Sequence, residues 1–388
     1  MGDLALPEGF RYRVLAREGD QLSDGTDVPS RFDGMAAFAG ANGTTILLRN
    51  HENQGDSSET PVVVPEDKLY DRDGDMIGGV TKLVVSPDRS LVESYAVLGG
   101  TLWNCAGGMM PWGSWISCEE SFDDGDEPHG YIFEVDALAT EPVDPRPITA
   151  GGRLEHEAVG WLDGMLYLTE DQSDGSLYRL TPDRTPEQPG DLAATAGRLE
   201  ALRISGEDSA STGRGWPVGE SFRVDWVPVE DPEPSSDTLR EEAQDAGAAV
   251  FDRCEGIWVG EDKVYFNCTE AGDERDGQVW ELDPSTDSLR LIYESPGRDH
   301  LHHPDNIVVG PSGELFLCED NDDLCHVRRL TPEGQIQPFA QALEYATSEF
   351  AGVCFDPGGR TLFVNQQGDP DEDLPAITYA IWGPWGDL

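Results

Sequence analysis

Apolar stretches of five to seven residues recur along the chain, and six of them end alike, in a polar or acidic pair. The six are Ile46-Leu47-Leu48-Arg49-Asn50-His51-Glu52, Trp115-Ile116-Ser117-Cys118-Glu119-Glu120, Leu166-Tyr167-Leu168-Thr169-Glu170-Asp171, Val264-Tyr265-Phe266-Asn267-Cys268-Thr269-Glu270, Leu315-Phe316-Leu317-Cys318-Glu319-Asp320 and Leu362-Phe363-Val364-Asn365-Gln366-Gln367. Their length and their β-branched and aromatic content predict strands. A shorter strand precedes each, opened by a polar and then a small residue: Asp33-Gly34, Cys105-Ala106, Glu157-Ala158, Glu255-Gly256, Asp305-Asn306 and Phe350-Ala351. Tight turns such as Asp163-Gly164 and Ser312-Gly313 separate the two. A third strand follows in several units, as in Gly130 to Val135, Gly175 to Leu180 and Gly277 to Leu282. Units of short strands repeating near ~50 residues predict an all-β propeller, here with six blades in a single domain spanning 1–388. The small residues suit a first strand crowded against a central axis. The spacing breaks between the third and fourth units. Residues 184–250 hold an acidic Pro-rich run, Val229 to Pro234, and a helical stretch, Asp237 to Ala248. They are expected to form a partly helical excursion from the blade rims, a candidate lid, and not a second domain.

Composition agrees with many turns and one packed core: 44 Gly, 27 Pro and 38% hydrophobic residues. Charge changes the picture more. Asp and Glu total 76 against 26 Lys and Arg, a net −50, and the lysines are Lys68, Lys82 and Lys263 alone. Such a surface repels nucleic acid and anionic membranes. With lysine so depleted, it fits a protein adapted to high salt, where screening shortens the Debye length to ~3 Å at 1 M. No apolar run approaches the ~18 residues of a membrane span, and no signal peptide opens the chain. The seven cysteines form no CxxC pair. They are expected as small buried residues rather than a disulfide framework.

In a propeller, the first strands begin around one mouth of the central channel. That places Asp33, Cys105, Glu157, Glu255, Asp305 and Phe350 there, joined from the second-strand ends by Asn50, Glu119, Glu120, Glu170, Asp171, Glu270, Glu319 and Asp320. A strand-end carboxylate is ordinarily a solvated turn residue. Recurrence at equivalent places in several blades points instead to metal ions, because carboxylates so crowded repel unless cations sit among them. Oxygen ligands select hard cations, and a thiolate at Cys105 adds affinity for a transition metal such as iron. Arg253, two residues before Glu255, suits a phosphate oxygen by fork geometry. His51, His156, His302 and His303 read as structural rather than as ligands.

The block Asn104-Cys105-Ala106-Gly107-Gly108, Pro111-Trp112-Gly113-Ser114-Trp115, Cys118-Glu119-Glu120 resembles the signature of PhoX-type alkaline phosphatases. Arg49-Asn50-His51-Glu52, Gly78-Gly79-Val80-Thr81, His156-Glu157, Arg253-Cys254-Glu255-Gly256 and Pro304-Asp305-Asn306 are similar to further motifs of that family, in order. The resemblance covers roughly residues 5 to 383. It implies a six-bladed propeller with two iron (Fe3+) and three calcium (Ca2+) ions at the mouth, hydrolysing small phosphomonoesters. It further implies that Cys105 bridges iron, that Glu119, Glu120, Glu157, Glu255 and Asp305 ligate metal, and that Arg253 contacts the phosphate. Glu319 and Asp320 join the expected ligands by their place in the repeat. A monomer is expected. Family members are exported, whereas no leader is seen here, and Cys254 stands where the family motif carries Pro. The alternatives are a lactonase-type propeller with one divalent ion and a non-catalytic calcium-binding propeller.

Overall fold

The computed structural model describes residues 3–123, 125–321 and 323–388. The fold is all-β and propeller-like. Its six axial strands are Phe32–Ala39, Asn104–Met109, His156–Leu162, Cys254–Gly260, Pro304–Val309 and Phe350–Phe355. They pack side by side in chain order, the last against the first, and so close a ring. From each, antiparallel strands step outward. Two sheets contain four strands, one three and one five.

The fifth sheet has nine strands and departs from a simple repeat. It runs from His156–Leu162 outward to Ser221–Pro228, crosses to Ser288–Glu294, and returns inward to Cys254–Gly260. Strands Gly197–Ile204 and Ser221–Pro228 lie inside the segment expected to be an excursion. The first pairs with Tyr178–Pro182, and the second bridges to the neighbouring sheet through Phe222 and Leu289. Two strands of eight residues each in 184–250 are therefore part of the sheet. Their apolar residues Leu199, Ala201, Leu202, Val224 and Val227 are buried, so leaving the sheet would expose them. The helix is shorter than expected, Leu239–Asp245. Leu239 and Ala243, one turn apart, are its buried face, and Glu241 and Glu242 in the first turn complement the helix dipole.

Strands in this architecture are apolar on both faces because each sheet is covered on both sides. Leu47 packs with Leu15, Leu83 and Phe363 in one inter-sheet core. Its neighbours Ile46 and Leu48 pack with Trp115 and Phe133 in the next core. Period-two alternation thus distributes side chains between two cores rather than between core and water. Near the axis the strands approach too closely for side chains. A Cβ on Gly108 would lie 1.9 Å from the carbonyl oxygen of Val159, and one on Gly256 2.5 Å from that of Asp305. The N-terminus supplies the outermost strands of two late sheets. Leu4–Ala5 pairs with Ile336–Ala342, and Arg11–Arg17 pairs with Ile377–Trp382, which ties the two ends of the chain together. All seven cysteines are buried and unbridged. Among the described residues, no helix is long and apolar enough to cross a membrane.

Candidate metal centre

Three recurring positions, set by strand geometry, supply most of the mouth, though not every unit uses all three. The first comes from a bulge. In five axial strands the register with the second strand shifts after the opening residue: between Phe32 and Met35, Asn104 and Gly107, His156 and Val159, Cys254 and Ile257, and Pro304 and Ile307. Bulges re-aim the side chains they contain. Inside these five lie Asp33, Cys105, Glu157, Glu255 and Asp305, and all five line one cavity of about 300 Å³. The second residue is the one just past the second strand: Glu52, Glu120, Asp171, Asp320 and Gln367 also line it. The third lies two positions before the bulge. Its carbonyl accepts the backbone N–H of the second residue, as Arg31 does from Glu52 (3.0 Å), Trp103 from Glu120 (2.9 Å), Arg253 from Thr269 (2.8 Å) and Glu349 from Gln367 (3.1 Å). Arg31, Trp103, Arg253 and His303 hold this place at φ of +44°, +48°, +52° and +51°. Such left-handed backbone is costly for non-glycine residues and clusters at functional sites.

The same parity divides the expected ligands between the mouth and the sheet. In each acidic pair the first residue ends the strand and turns into the sheet, and the second faces the mouth. Glu119 is fully buried and is surrounded by donors: Leu102 N–H (3.1 Å), Gly130 N–H (3.1 Å), Tyr131 N–H (3.2 Å) and the His129 ring (2.7 Å). Glu319 is likewise held by the N–H groups of His302 (3.0 Å) and His326 (3.0 Å) and by Arg328 Nε (2.7 Å). Neither carboxylate lines the mouth. Both staple loops to their sheets, as Glu170 does through Ser176 N–H and the Tyr178 hydroxyl. The remaining expected residues, Cys105, Glu120, Glu157, Arg253, Glu255, Asp305 and Asp320, are brought together.

Glu52, Glu349, Arg31 and Asp369 line the mouth and were not among the expected ligands. Glu349 precedes the sixth axial strand, and recognising the position two before each bulge would have found it. His51 bonds Ser30 O (2.7 Å) and the Thr81 hydroxyl (2.8 Å), and His156 bonds Gly152 O (3.0 Å), so both are structural. His302 and His303 gather with Asp276, and none of these three lines the mouth.

Ten carboxylates and two guanidiniums line the cavity, an excess of eight negative charges if all were ionised. Burial first, then mutual repulsion, opposes that state. It pushes Asp33 up to about 6 and Glu255 up to about 8. It holds Glu52, Glu120, Glu157, Asp305 and Glu349 well above the ordinary carboxylate range. Burial, with Glu157 nearby, also raises the Cys105 thiol. Arg253 offsets part of the charge. Its Nε and Nη2 grip Asp171 at 2.9 and 2.7 Å, and Nη2 lies 2.8 Å from Glu255 Oε1. Asp33 Oδ1 is nonetheless buried without a hydrogen bond among the described residues.

Two groups of ligand atoms converge to within 4.8 Å: Cys105 with Glu120 and Glu157, and Glu157 with Glu255 and Asp305. Glu157 belongs to both. This donor set fits metal ions. Carboxylate oxygens suit hard cations, the thiol adds a soft ligand for a transition metal, and a cation would satisfy the orphaned Asp33 oxygen.

The family profile described as alkaline phosphatase PhoX matches the chain over residues 1–93 and 88–370. The chain is a member of the PhoX alkaline phosphatase family. A solved PhoX from Pseudomonas fluorescens, in complex with vanadate as a transition-state analogue, aligns with a TM-score of 0.75. It is 17% identical, and the alignment covers 99% of this chain and 96% of that one, so it establishes the shared fold. A gluconolactonase from Xanthomonas campestris gives a TM-score of 0.47 at 14% identity, with 99% and 98% covered. Virginiamycin B lyase from Staphylococcus aureus gives 0.46 at 12%, with 96% and 99% covered. No curated protein sequence matches the chain. The PhoX-like block Asn104 to Glu120 contains two mouth residues, Cys105 and Glu120.

Proposed function

We propose that this PhoX-family chain is a metal-dependent phosphatase hydrolysing small-molecule phosphomonoesters at the mouth of a six-bladed, single-domain propeller. Taking the nine-stranded sheet as two blades joined at their rims supports the count of six. The observation that carries the functional reading is the convergence of Cys105 with Glu120 and Glu157, and of Glu157 with Glu255 and Asp305, beside Arg253.

A phosphomonoester dianion would be repelled by a mouth with this excess of carboxylates, so binding and turnover require cations. In the proposed assignment, Cys105, Glu120 and Glu157 would hold iron (Fe3+). Glu255, Asp305 and Asp320 would hold calcium (Ca2+), Glu157 standing in reach of both groups. The bound ions would neutralise the phosphate and supply an activated water-derived nucleophile. The protein's own part is orientation. Asp171 fixes the Arg253 guanidinium through two hydrogen bonds, and its Nη1, held only by a long 3.9 Å ion pair to Glu270 Oε1, is the edge that would meet a non-bridging phosphate oxygen. Held in that plane, Arg253 stabilises the charge that shifts onto the oxygens in the transition state. The bulges keep Glu157 and Glu255 converged before substrate arrives, so little reorganisation accompanies binding. Family membership supports export from the cytoplasm, and a monomer is the simplest assembly for a mouth formed within one chain.

Elemental analysis combined with turnover of a panel of chromogenic phosphomonoesters tests the reading. Iron with calcium and measurable turnover supports it. A single divalent ion would favour a lactonase-type reaction. Protein loaded with iron and calcium yet inert toward the whole panel would overturn the phosphatase reading.

A further inference from the structure

We infer that Cys254 and Cys268 are a disulfide site, closed across the two strands that flank Arg253 and Glu255 when the chain folds in the presence of an oxidant. The two residues are direct cross-strand partners. The Thr269 N–H donates to the Arg253 carbonyl at 2.8 Å, one position outside the pair. That bond makes Cys254 and Cys268 a non-hydrogen-bonded pair, the antiparallel geometry in which Cα atoms are closest and side chains meet. Their sulfurs are 3.2 Å apart and both residues are fully buried. A disulfide needs sulfurs at ~2.05 Å and Cβ atoms near ~3.8 Å, so a shift of about 1 Å closes it.

Comparison around the ring gives independent support. Each axial strand pairs its opening residue with the last residue or so of its second strand, and at five places that partner is His51, Glu119, Glu170, Glu319 or Gln366. Each of these five is a polar staple hydrogen-bonded to a neighbouring segment, as Gln366 is to Glu344 O, Tyr345 O and the Tyr379 hydroxyl. At the remaining place stands Cys268, whose side chain cannot staple in that way, and its partner across the sheet is a second cysteine. A covalent bond would take over the stapling at the unit that carries Arg253.

The chemistry balances with a disulfide as oxidant. One cysteine thiolate attacks a sulfur of an external disulfide and releases one thiolate. The second cysteine sulfur then attacks the mixed disulfide and releases the other. One S–S bond breaks and one forms, the two cysteine protons end on the released thiols, and two electrons pass to the external disulfide. Both side chains are fully buried, so neither an external disulfide nor a reductant reaches them once the blade has packed. The bond therefore forms during folding and then resists reductant.

The full chain, refolded with oxidised and reduced glutathione or with reductant alone, is denatured and alkylated with a maleimide, and its peptides are mapped by mass. Oxidative refolding should leave five of the seven cysteines alkylated and give a peptide pair joined at 254 and 268. Its melting temperature should rise on the order of 3 °C over the reduced form. Cys268→Ser should leave six alkylated thiols and show no such rise, and Cys254→Ala is the second variant should Cys268→Ser fail to fold. Seven alkylated thiols after oxidative refolding, or a bond between other cysteines with these two alkylated, would overturn the inference. Thiol counting does not depend on turnover, so this outcome is separate from the phosphatase reading.

Discussion

Replacing Arg253 with alanine should destabilise the metal-free protein far more than the metal-loaded one. Arg253 grips Asp171 with two hydrogen bonds and lies against Glu255. The side chains of those carboxylates are 6% and 8% exposed, so removing the guanidinium strands two nearly buried acids. Breaking a fully buried pair costs about 3–5 kcal/mol. Arg253 itself is 28% exposed, which admits water and brings the expected loss to about 2–3 kcal/mol. An unfolding entropy of about 2.1 cal/mol/K per residue over 388 residues amounts to about 0.8 kcal/mol per degree. The melting temperature of chelator-treated protein should therefore fall by about 3 °C. With cations bound, Asp171 and Glu255 have other counter-charges, and the fall should shrink to about 1 °C or less. Turnover should drop by about 10²–10³ while metal content is unchanged. Thermal melts of both proteins with and without chelator, paired with elemental analysis, decide the matter. An equal fall in both forms, or loss of ions on substitution, would refute the argument that Arg253 acts as counter-charge and phosphate contact rather than as metal scaffold.

Glu157→Gln should deplete ions from both ligand groups and Glu120→Gln from one, each by at least the ~10–100-fold in affinity seen on losing an outer-shell partner; equal depletion by elemental analysis would exclude a shared Glu157. Raising KCl from 0.15 M to molar levels should raise the melting temperature, because screening relieves the repulsion of a −50 chain; a flat or falling series would count against adaptation to salt. His129 lies buried between Glu119 at 2.7 Å and Asp71 at 3.3 Å. Burial opposes its charge, but the two carboxylates outweigh burial and raise its pKa above 6.5. A raised histidine stabilises fully below about pH 6.5 and loses that contribution as pH climbs through the folded value. The melting-temperature gap between wild type and His129→Gln should therefore narrow with rising pH, and a gap that widens would show the sign to be wrong.

Much of the fold was legible because the repeat is written in residue types with distinct steric demands. The six apolar stretches ending at His51, Glu119, Glu170, Cys268, Glu319 and Gln366 are six strands at the expected places. The small residues at Gly108 and Gly256 do mark a crowded axis. Residues 184–250 were read less well. Their irregular spacing and Pro-rich run hid two strands, because pairing depends on partners outside the segment: Phe222 on Leu289, and Ala201 on Tyr178.

The chemistry divides in the same way. The sequence by itself determined which residue types were available at strand ends, that the molecule is strongly acidic, and that Cys105, Glu157, Glu255 and Asp305 occupy equivalent positions, since composition and spacing are local properties. Only the tertiary structure decided which member of each acidic pair faces the mouth. Glu119 and Glu319 end their strands facing the sheet, where loop N–H groups, a histidine and an arginine claim their oxygens, whereas Glu120 and Asp320 step past the last pairing onto the cavity wall. It also brought Glu52, Glu349 and Arg31 into the cluster and set Cys254 against Cys268. A one-residue step reverses the direction of a side chain in a strand, and a bulge reverses it again, so the facing of each acid depends on pairings that form only when distant strands meet.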